Sequence, residues 1–302
     1  MKKRIAILGA TSHIAKGLIL NFLKDKKSSL SLFARNHSRV AYFLKANGLK
    51  PNCRINGFRQ FGRGQYDVII NCVGLGTPSR ITKTGGDVLS LTEEFDRLSI
   101  RYLKEHPRAL YINFSSGAVY SVSPGDLKPE HFYGLAKLYQ EAKHRVLDKF
   151  NIVDLRVFSY FSRFVDLDSG YFLTDLIKSI NEGKVFVTTP RDFTRDFLSS
   201  EDLFNLICLI IKAKPFNDVI EAYSSGPVTK FELLDYFSKN YSLKYKIERN
   251  LKLYSPTGQK DYYFSRSRKA GNLVGYKPKF SSAETVAKEA KYLIGNTNEQ
   301  AK

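Results

Sequence analysis

Tryptophan is absent from this chain, cysteine occurs three times in 302 residues, and Asp and Glu are outnumbered 29 to 48 by Lys and Arg. Each scarcity excludes something. Cys53, Cys72 and Cys208 are odd in number and far apart, which argues against a disulfide framework and against a zinc knuckle. The five histidines show no H-x-x-x-H spacing and have no cysteine pair nearby, so no metal site is expected. Long apolar runs are missing too. The densest, Leu206–Ile211, has six residues, against the roughly 18 that a membrane-spanning helix needs. The net charge of +19 favours anionic partners such as nucleotides, nucleic acid or acidic membrane surfaces, and says little about fold.

Hydrophobic residues (43%) and charged residues (25%) stand near globular averages, so the chain can bury a sizeable core. Neither an internal repeat nor a low-complexity tract is evident. The opening Met1–Arg4 imitates the basic start of a signal peptide. Ile5–Leu8 is too short for its apolar core, however, and no cleavage site follows. The simpler expectation is a first strand with a basic lead-in, in a reducing cytoplasm.

Strand-like and helix-like segments alternate through the first half. Ile5–Leu8, Leu30–Ala34, Tyr66–Val73, Ala109–Phe114 and Val153–Phe158 read as strands, and Arg54–Phe61 is ambiguous. His13–Lys24, Leu89–Glu105 and Tyr133–Phe150 read as helices. Nearly continuous apolar strands in this alternation predict an α/β fold, a Rossmann-like doubly wound parallel sheet covered on both faces. Beyond about residue 160 the pattern loosens. Phe172–Glu182, Leu203–Lys214 and Ser282–Leu293 read as helices, Tyr223–Pro227 as a turn, and Thr229-x-x-Glu232 as a capping box. Gly295–Lys302 reads as a frayed polar tail. The expected division is an NAD(P)-binding Rossmann domain over residues 1–160 and a smaller α/β substrate-binding part over 161–302. Within the latter, about 193–222 returns to the Rossmann sheet.

Gly9-Ala-Thr-Ser-His-Ile-Ala15 lies between the first strand and the first helix, with small residues at Gly9, Ser12 and Ala15 in the G-x-x-G-x-x-G rhythm. Such a loop makes a tight turn, brings backbone N–H groups close to a pyrophosphate and aims a helix N-terminus at it. Only Gly9 is glycine. The Ser12 Cβ stands where phosphate normally meets bare backbone, although its hydroxyl can donate. An ordinary α/β turn remains the competing reading. The second strand ends Leu32-Phe-Ala-Arg-Asn36, without the acidic residue that takes the ribose hydroxyls of NAD. Arg35 can pair with a 2′-phosphate in bidentate fashion, which favours NADP over NAD; a solvated arginine is the alternative.

Asn113-Phe-Ser-Ser-Gly-Ala-Val-Tyr120 closes a strand, and Tyr133-Gly-Leu-Ala-Lys137 follows on a helix. Tyr133 and Lys137 share one helix face. A phenol with pKa near 10 is a poor base at neutral pH, and a neighbouring ammonium favours the phenolate. A hydroxyl such as Ser116 can hold a substrate oxygen as negative charge develops on it. Together these groups make a proton donor or acceptor beside a hydride carrier. A Tyr-Lys pair alone is more often a solvated helix face; the order cofactor loop, strand-end serines, Tyr-x-x-x-Lys is what carries the reading.

At these residues the chain resembles the extended short-chain dehydrogenases/reductases, the NAD(P)-dependent epimerase/dehydratase group acting on nucleotide sugars. Tyr66-Asp-Val-Ile-Ile-Asn-Cys-Val-Gly74 looks like the family's fourth strand, and Ser115-Ser-Gly-Ala-Val-Tyr120 like its S-S-x-x-V-Y segment. Leu155-Arg-Val-Phe-Ser159, Arg195-Asp-Phe197 with Glu201-Asp-Leu203, and Arg268-Lys-Ala270 through Pro278 are similar to its later segments. The resemblance implies catalytic roles for Ser116, Tyr133 and Lys137. It implies a cofactor held by Gly9, Thr11, Ser12, His13 and Ile14, by Arg35 and Asn36, by Cys72, Val73 and Gly74, and by Phe158 and Ser159. Tyr133 and Lys137 would stand at its nicotinamide end. Ser116, Arg195 and Lys260 would meet the substrate, Arg195 through its diphosphate. Gly117 and Ala118 replace the acidic pair of the family's 4,6-dehydratases, which argues against dehydration.

The leading expectation is an NADP-dependent 4-ketoreductase acting on a nucleotide-linked ketosugar in polysaccharide precursor synthesis. A nucleotide-sugar epimerase is the first alternative. A non-catalytic NADP-binding or RNA-associated Rossmann protein is the second. The resemblance further implies a homodimer through Leu89–Glu105 and the Tyr-Lys helix, with no membrane partner. The 40 Tyr and Phe residues fall in expected core segments, so core packing is preferred over the stacking of RNA bases. Arg163, Lys184 and Arg191 are further candidates for the cleft, or for ordinary solvated surface.

Overall fold

Ile5, Ala6, Ile7 and Leu8 offer no polar face to solvent, and all four are fully buried, as a central parallel strand requires. The computed structural model describes residues 2–49, 53–74, 87–251 and 260–295. The polar tail from residue 296 lies outside these. Seven parallel strands form the central sheet: β1 (Lys3–Leu8), β2 (Ser28–Phe33), β3 (Cys53–Asn56), β4 (Val68–Asn71), β5 (Leu110–Ser116), β6 (Asn151–Val157) and β7 (Asp218–Ala222). Their order is β7-β6-β5-β4-β1-β2-β3. The order reverses between β1 and β4, where open α/β sheets carry their ligand crevice. The return of the chain to the sheet near residue 222 is made by β7, which pairs with β6 through Ile220 opposite Leu155.

The helices are α1 (His13–Asp25), α2 (His37–Ala46), α3 (Asp87–Glu105), α4 (Phe132–Val146), α5 (Phe172–Asn181), α6 (Ser200–Lys212), α7 (Lys230–Tyr241), α8 (Lys269–Val274) and α9 (Ser282–Ala290). One face of the sheet buries Ile5 and Ile7 with Leu18, Leu203 and Leu206 of α1 and α6. The other buries Ala6 and Leu8 with Tyr111, Ile100 and Leu103. A third apolar cluster, including Phe161, Leu176, Leu234 and Val286, lies under α5, α7 and α9. Gly17 sets the approach of α1 to α6: a Cβ there would stand 2.1 Å from the Tyr160 hydroxyl and 2.7 Å from Ser200 Oγ.

Several boundaries differ from the sequence expectation. The ambiguous Arg54–Phe61 stretch becomes the edge strand β3 followed by a 3₁₀ turn, Phe58–Arg63. The short helix α2 carried no sequence assignment; Asn36 starts it, its side chain accepting from the Arg39 N–H at 3.0 Å. The helix expected to run to Phe150 stops at Val146, because the Asn217 side chain takes the His144 and Leu147 carbonyls at 3.0 and 2.9 Å. Both carbonyls are thereby satisfied without another helical turn. The capping box at Thr229 and Glu232 forms, with the Thr229 N–H donating to the Glu232 carboxylate at 2.7 Å.

Candidate active site

At the carboxyl end of β1 the chain turns at Gly9 with φ +76°. An added Cβ would lie 2.9 Å from the Cys72 carbonyl and the Val73 nitrogen. Backbone strain and backbone contact therefore both demand glycine. Ser12 caps α1, its oxygen accepting from the Ala15 N–H at 3.3 Å, which leaves its proton for an anion. Thr11, Ser12, His13 and Ile14 are half-exposed along this edge, and Val73 and Gly74 follow β4 on the facing side. The bare Gly9 and the N-terminus of α1 fit the pyrophosphate of a dinucleotide. His13 joins only through its backbone. Its ring is bonded to Ser162 Oγ at 2.8 Å, and burial pushes its pKa down to about 3. Burial also pushes the Cys72 thiol far up, so it stays inert. Arg35 stands exposed at the end of β2, beside the Asn36 cap.

Ser116 ends β5. Its oxygen accepts from the Ala118 N–H at 3.2 Å and lies 2.9 Å from the Tyr263 hydroxyl. Gly134 lets the first turn of α4 approach this loop: a Cβ there would meet the Ala118 carbonyl at 2.6 Å. That approach brings Tyr133 beside Ser116. Burial raises the Tyr133 pKa, opposed by a hydrogen bond to Ser116, so the phenol carries its proton at neutral pH.

Lys137 differs from the sequence expectation. Its ammonium runs inward to Gln140 Oε1 at 3.3 Å and is buried. Burial brings its pKa down to about 8, opposed by Asp154, Asp96 and Glu141. The groups that shift Tyr133 are burial and Ser116. The carboxylates behind it, rather than the phenol in front, face its charge.

The expected substrate groups are also deployed differently. The Arg195 guanidinium lies over the Phe193 ring at 4.3 Å and donates to the carbonyls of Lys260 at 2.8 Å and Thr194 at 3.0 Å. It thereby ties the two-residue strand Tyr262–Tyr263 to its parallel partner Thr194–Arg195. Burial lowers Arg195 to about 10, and burial together with repulsion from Arg195 lowers Lys260 to about 8. Two desolvated cations side by side attract a diphosphate, which would relieve the repulsion. Phe158 turns away from the glycine loop. Its ring fills the space a Gly117 Cβ would need and packs edge-on to Tyr263 at 5.3 Å. With Tyr120, Glu221 and Arg266 it lines a cavity of about 480 Å³. Ser159 opens a short strand paired with Phe197. Of the cleft candidates, Arg163 is taken up by Glu289 at 2.7 Å, Arg191 pairs with Asp261, and Lys184 pairs with Glu182 on the surface.

Tyr171 and Tyr263 carried no sequence assignment. Both phenols are raised by burial, and both feel Tyr133. Tyr263 and Tyr133 thus meet at Ser116, and Tyr171 stands near enough to both phenols to feel their charge, from positions no local spacing connects.

A family model described as the NAD dependent epimerase/dehydratase family matches residues 5–226. No curated protein matches the chain. Among solved structures, UDP-glucuronic acid 4-epimerase from Bacillus cereus, in complex with UDP-glucuronic acid and NAD, is 19% identical, with TM-score 0.79 over 96% of this chain and 98% of that one. UDP-glucose 4-epimerase from Thermotoga maritima is 14% identical, with TM-score 0.78 over 96% and 98%. DesIV, a dTDP-glucose 4,6-dehydratase from Streptomyces venezuelae with NAD bound, is 14% identical, with TM-score 0.77 over 96% of each chain. Among the described residues no helix is long and apolar enough to cross a membrane.

Proposed function

Since the chain belongs to the NAD-dependent epimerase/dehydratase family, an enzyme family, we propose that it reduces the 4-keto carbon of a nucleotide-linked sugar. The observation that carries this reading is Tyr133, held as a neutral phenol beside Ser116 at the carboxyl end of the sheet. A proton-bearing phenol suits a step that gives a proton away. The nicotinamide, when bound, supplies hydride to the carbon. Tyr133 gives its proton to the oxygen, Ser116 hydrogen-bonds that oxygen, and the product is the alcohol. Lys137 places positive charge in the same helix, and Arg195 with Lys260 meets the diphosphate. Gly117 and Ala118, both buried, put no carboxylate beside the reacting carbon, so elimination of water is not proposed.

The test is turnover of purified protein on nucleotide-linked 4-keto-6-deoxysugars and their 4-hydroxy relatives with stoichiometric NADPH. The expected result is NADPH loss matched mole for mole by reduced sugar. A new sugar isomer with no net NADPH loss would establish epimerisation instead. Two of the three structural neighbours described above favour that second reading, since they are 4-epimerases.

The exposed Arg35, with no acidic residue at the end of β2, supports NADP over NAD, although the B. cereus and S. venezuelae neighbours hold NAD. Arg35→Asp is expected to weaken NADPH binding by about tenfold or more, roughly 1.4 kcal/mol, and to spare NADH. Fluorescence titration of both cofactors checks it; equal loss for both would show that Arg35 reads no 2′-phosphate.

A further inference from the structure

The hydroxyl of Ser116 is the best-defined group in the cleft, and its hydrogen bonds can be counted. A serine oxygen has one proton to give and two lone pairs to fill. One lone pair takes the Ala118 N–H at 3.2 Å. The Tyr263 hydroxyl stands 2.9 Å away. Were Ser116 to donate to Tyr263, its only proton would point away from the substrate. A phenol is the stronger acid of the two, so the bond is stronger with Tyr263 donating. Both lone pairs are then filled, and the serine proton is left facing the side where Tyr133 lies.

Tyr263 is built to hold that position. Its ring meets Phe158 edge-on at 5.3 Å and lies under the cations of Lys260 at 5.5 Å and Arg195 at 5.9 Å. Its strand is pinned through the Lys260 carbonyl by Arg195 at 2.8 Å. Burial keeps the phenol protonated, so it has a proton to donate.

We propose that Tyr263 is a positioning residue that donates its phenolic hydrogen to Ser116 Oγ and thereby aims the serine proton at the substrate oxygen. Hydrogen bonds in series also polarise one another, so the serine becomes a better donor as negative charge develops on that oxygen. The role of Tyr263 in turnover rests on the ketosugar reading above; the Ser116–Tyr263 bond itself does not.

Two measurements test the proposal. In protein labelled with [13Cζ]tyrosine, the Tyr263 resonance is assigned by its loss in Tyr263→Phe. Ser116→Ala is expected to shift it in the substrate-free protein while the other tyrosine signals remain folded in pattern. An unmoved Tyr263 signal overturns the proposal, whatever the enzyme does with sugars. Kinetically, Tyr263→Phe is expected to lower kcat about tenfold with little change in the sugar KM. The Ser116→Ala/Tyr263→Phe double variant is expected to be no slower than Ser116→Ala alone, since the phenol acts only through the serine. Multiplying losses would assign Tyr263 a separate structural role, and a faster Tyr263→Phe enzyme would make it a blocking group; either result overturns the proposal. If the wild type reduces no ketosugar yet the Tyr263 signal moves with Ser116→Ala, the hydrogen bond stands and the ketosugar reading falls.

Discussion

Tyr133→Phe is expected to lower turnover by about 10³-fold while NADPH binds as tightly as to the wild type, because the change removes one oxygen and its proton and leaves the ring in place. The magnitude follows from what the phenol does. It stands beside Ser116 with a proton to give, and burial holds that proton in place. The neighbouring phenols do not substitute for it if Tyr263 spends its proton on Ser116. A single-turnover measurement, with enzyme in excess over ketosugar, separates the chemical step from product release. A variant with near-full activity would remove Tyr133 from the mechanism. The pH profile gives an independent check on its neighbour. Lys137 has a pKa brought down to about 8, so kcat/KM is expected to fall as pH rises through that value if its charge assists the reaction.

The second large effect lies behind the cleft. His144 on α4 is fully buried between two fully buried carboxylates, Asp96 of α3 at 2.8 Å and Asp154 of β6 at 2.9 Å. Lys143 and the Tyr111 hydroxyl also reach Asp96, and Arg145 and Asn113 reach Asp154. Desolvation alone would lower the imidazole pKa. The hydrogen bonds and charges of the two aspartates outweigh it and raise His144 to about 9. Its folded pKa therefore exceeds its unfolded value near 6.5. The imidazolium contributes stability in full below about pH 6.5, and the contribution is lost as pH rises through 9.

His144→Ala leaves the two carboxylates without the cation between them. The expected cost at pH 6.5 is about 3–5 kcal/mol, as for breaking a buried ion pair from one side. Because the wild type loses the imidazolium contribution in base, the gap between wild type and variant should narrow towards pH 9.5. Urea unfolding at both pH values measures it. A gap that is small at pH 6.5, or constant across the range, would show that His144 is neutral in the folded protein. The same network faces Lys137 from behind, since Asp96 and Asp154 both support its charge. Stability and the helix that carries Tyr133 and Lys137 are thus coupled.

The alternating apolar strands and amphipathic helices were legible because each is a local pattern. Ile5–Leu8 must be buried on both faces wherever it lies in the chain, and a central place in a parallel sheet is the consequence. The strand-end serines and the Tyr-x-x-x-Lys spacing were legible for the same reason, as was the Gly9 turn. Boundaries were less so. The Tyr133 helix stops at Val146 because of Asn217, about 70 residues further on, and no window along the helix contains that information. Side-chain direction was least legible. Tyr133 and Lys137 share a helix face in the sequence, yet the phenol turns to Ser116 and the ammonium to Gln140 and the buried carboxylates.

The sequence by itself determined the fold class, the glycine turn after β1 and the strand-end serine and Tyr-x-x-x-Lys motifs on which the proposed reaction rests, since each is a local pattern of residues within a few positions of one another. The tertiary structure decided which groups surround them. Ser116 and Tyr263 are 147 residues apart, and Arg195 holds the Lys260 carbonyl across 65 residues. Periodicity reports only which face of an element is apolar. Which polar side chain meets another across the cleft is set by how the sheet and its C-terminal additions pack, and that packing places the Tyr263 phenol on the serine and an imidazole between two aspartates.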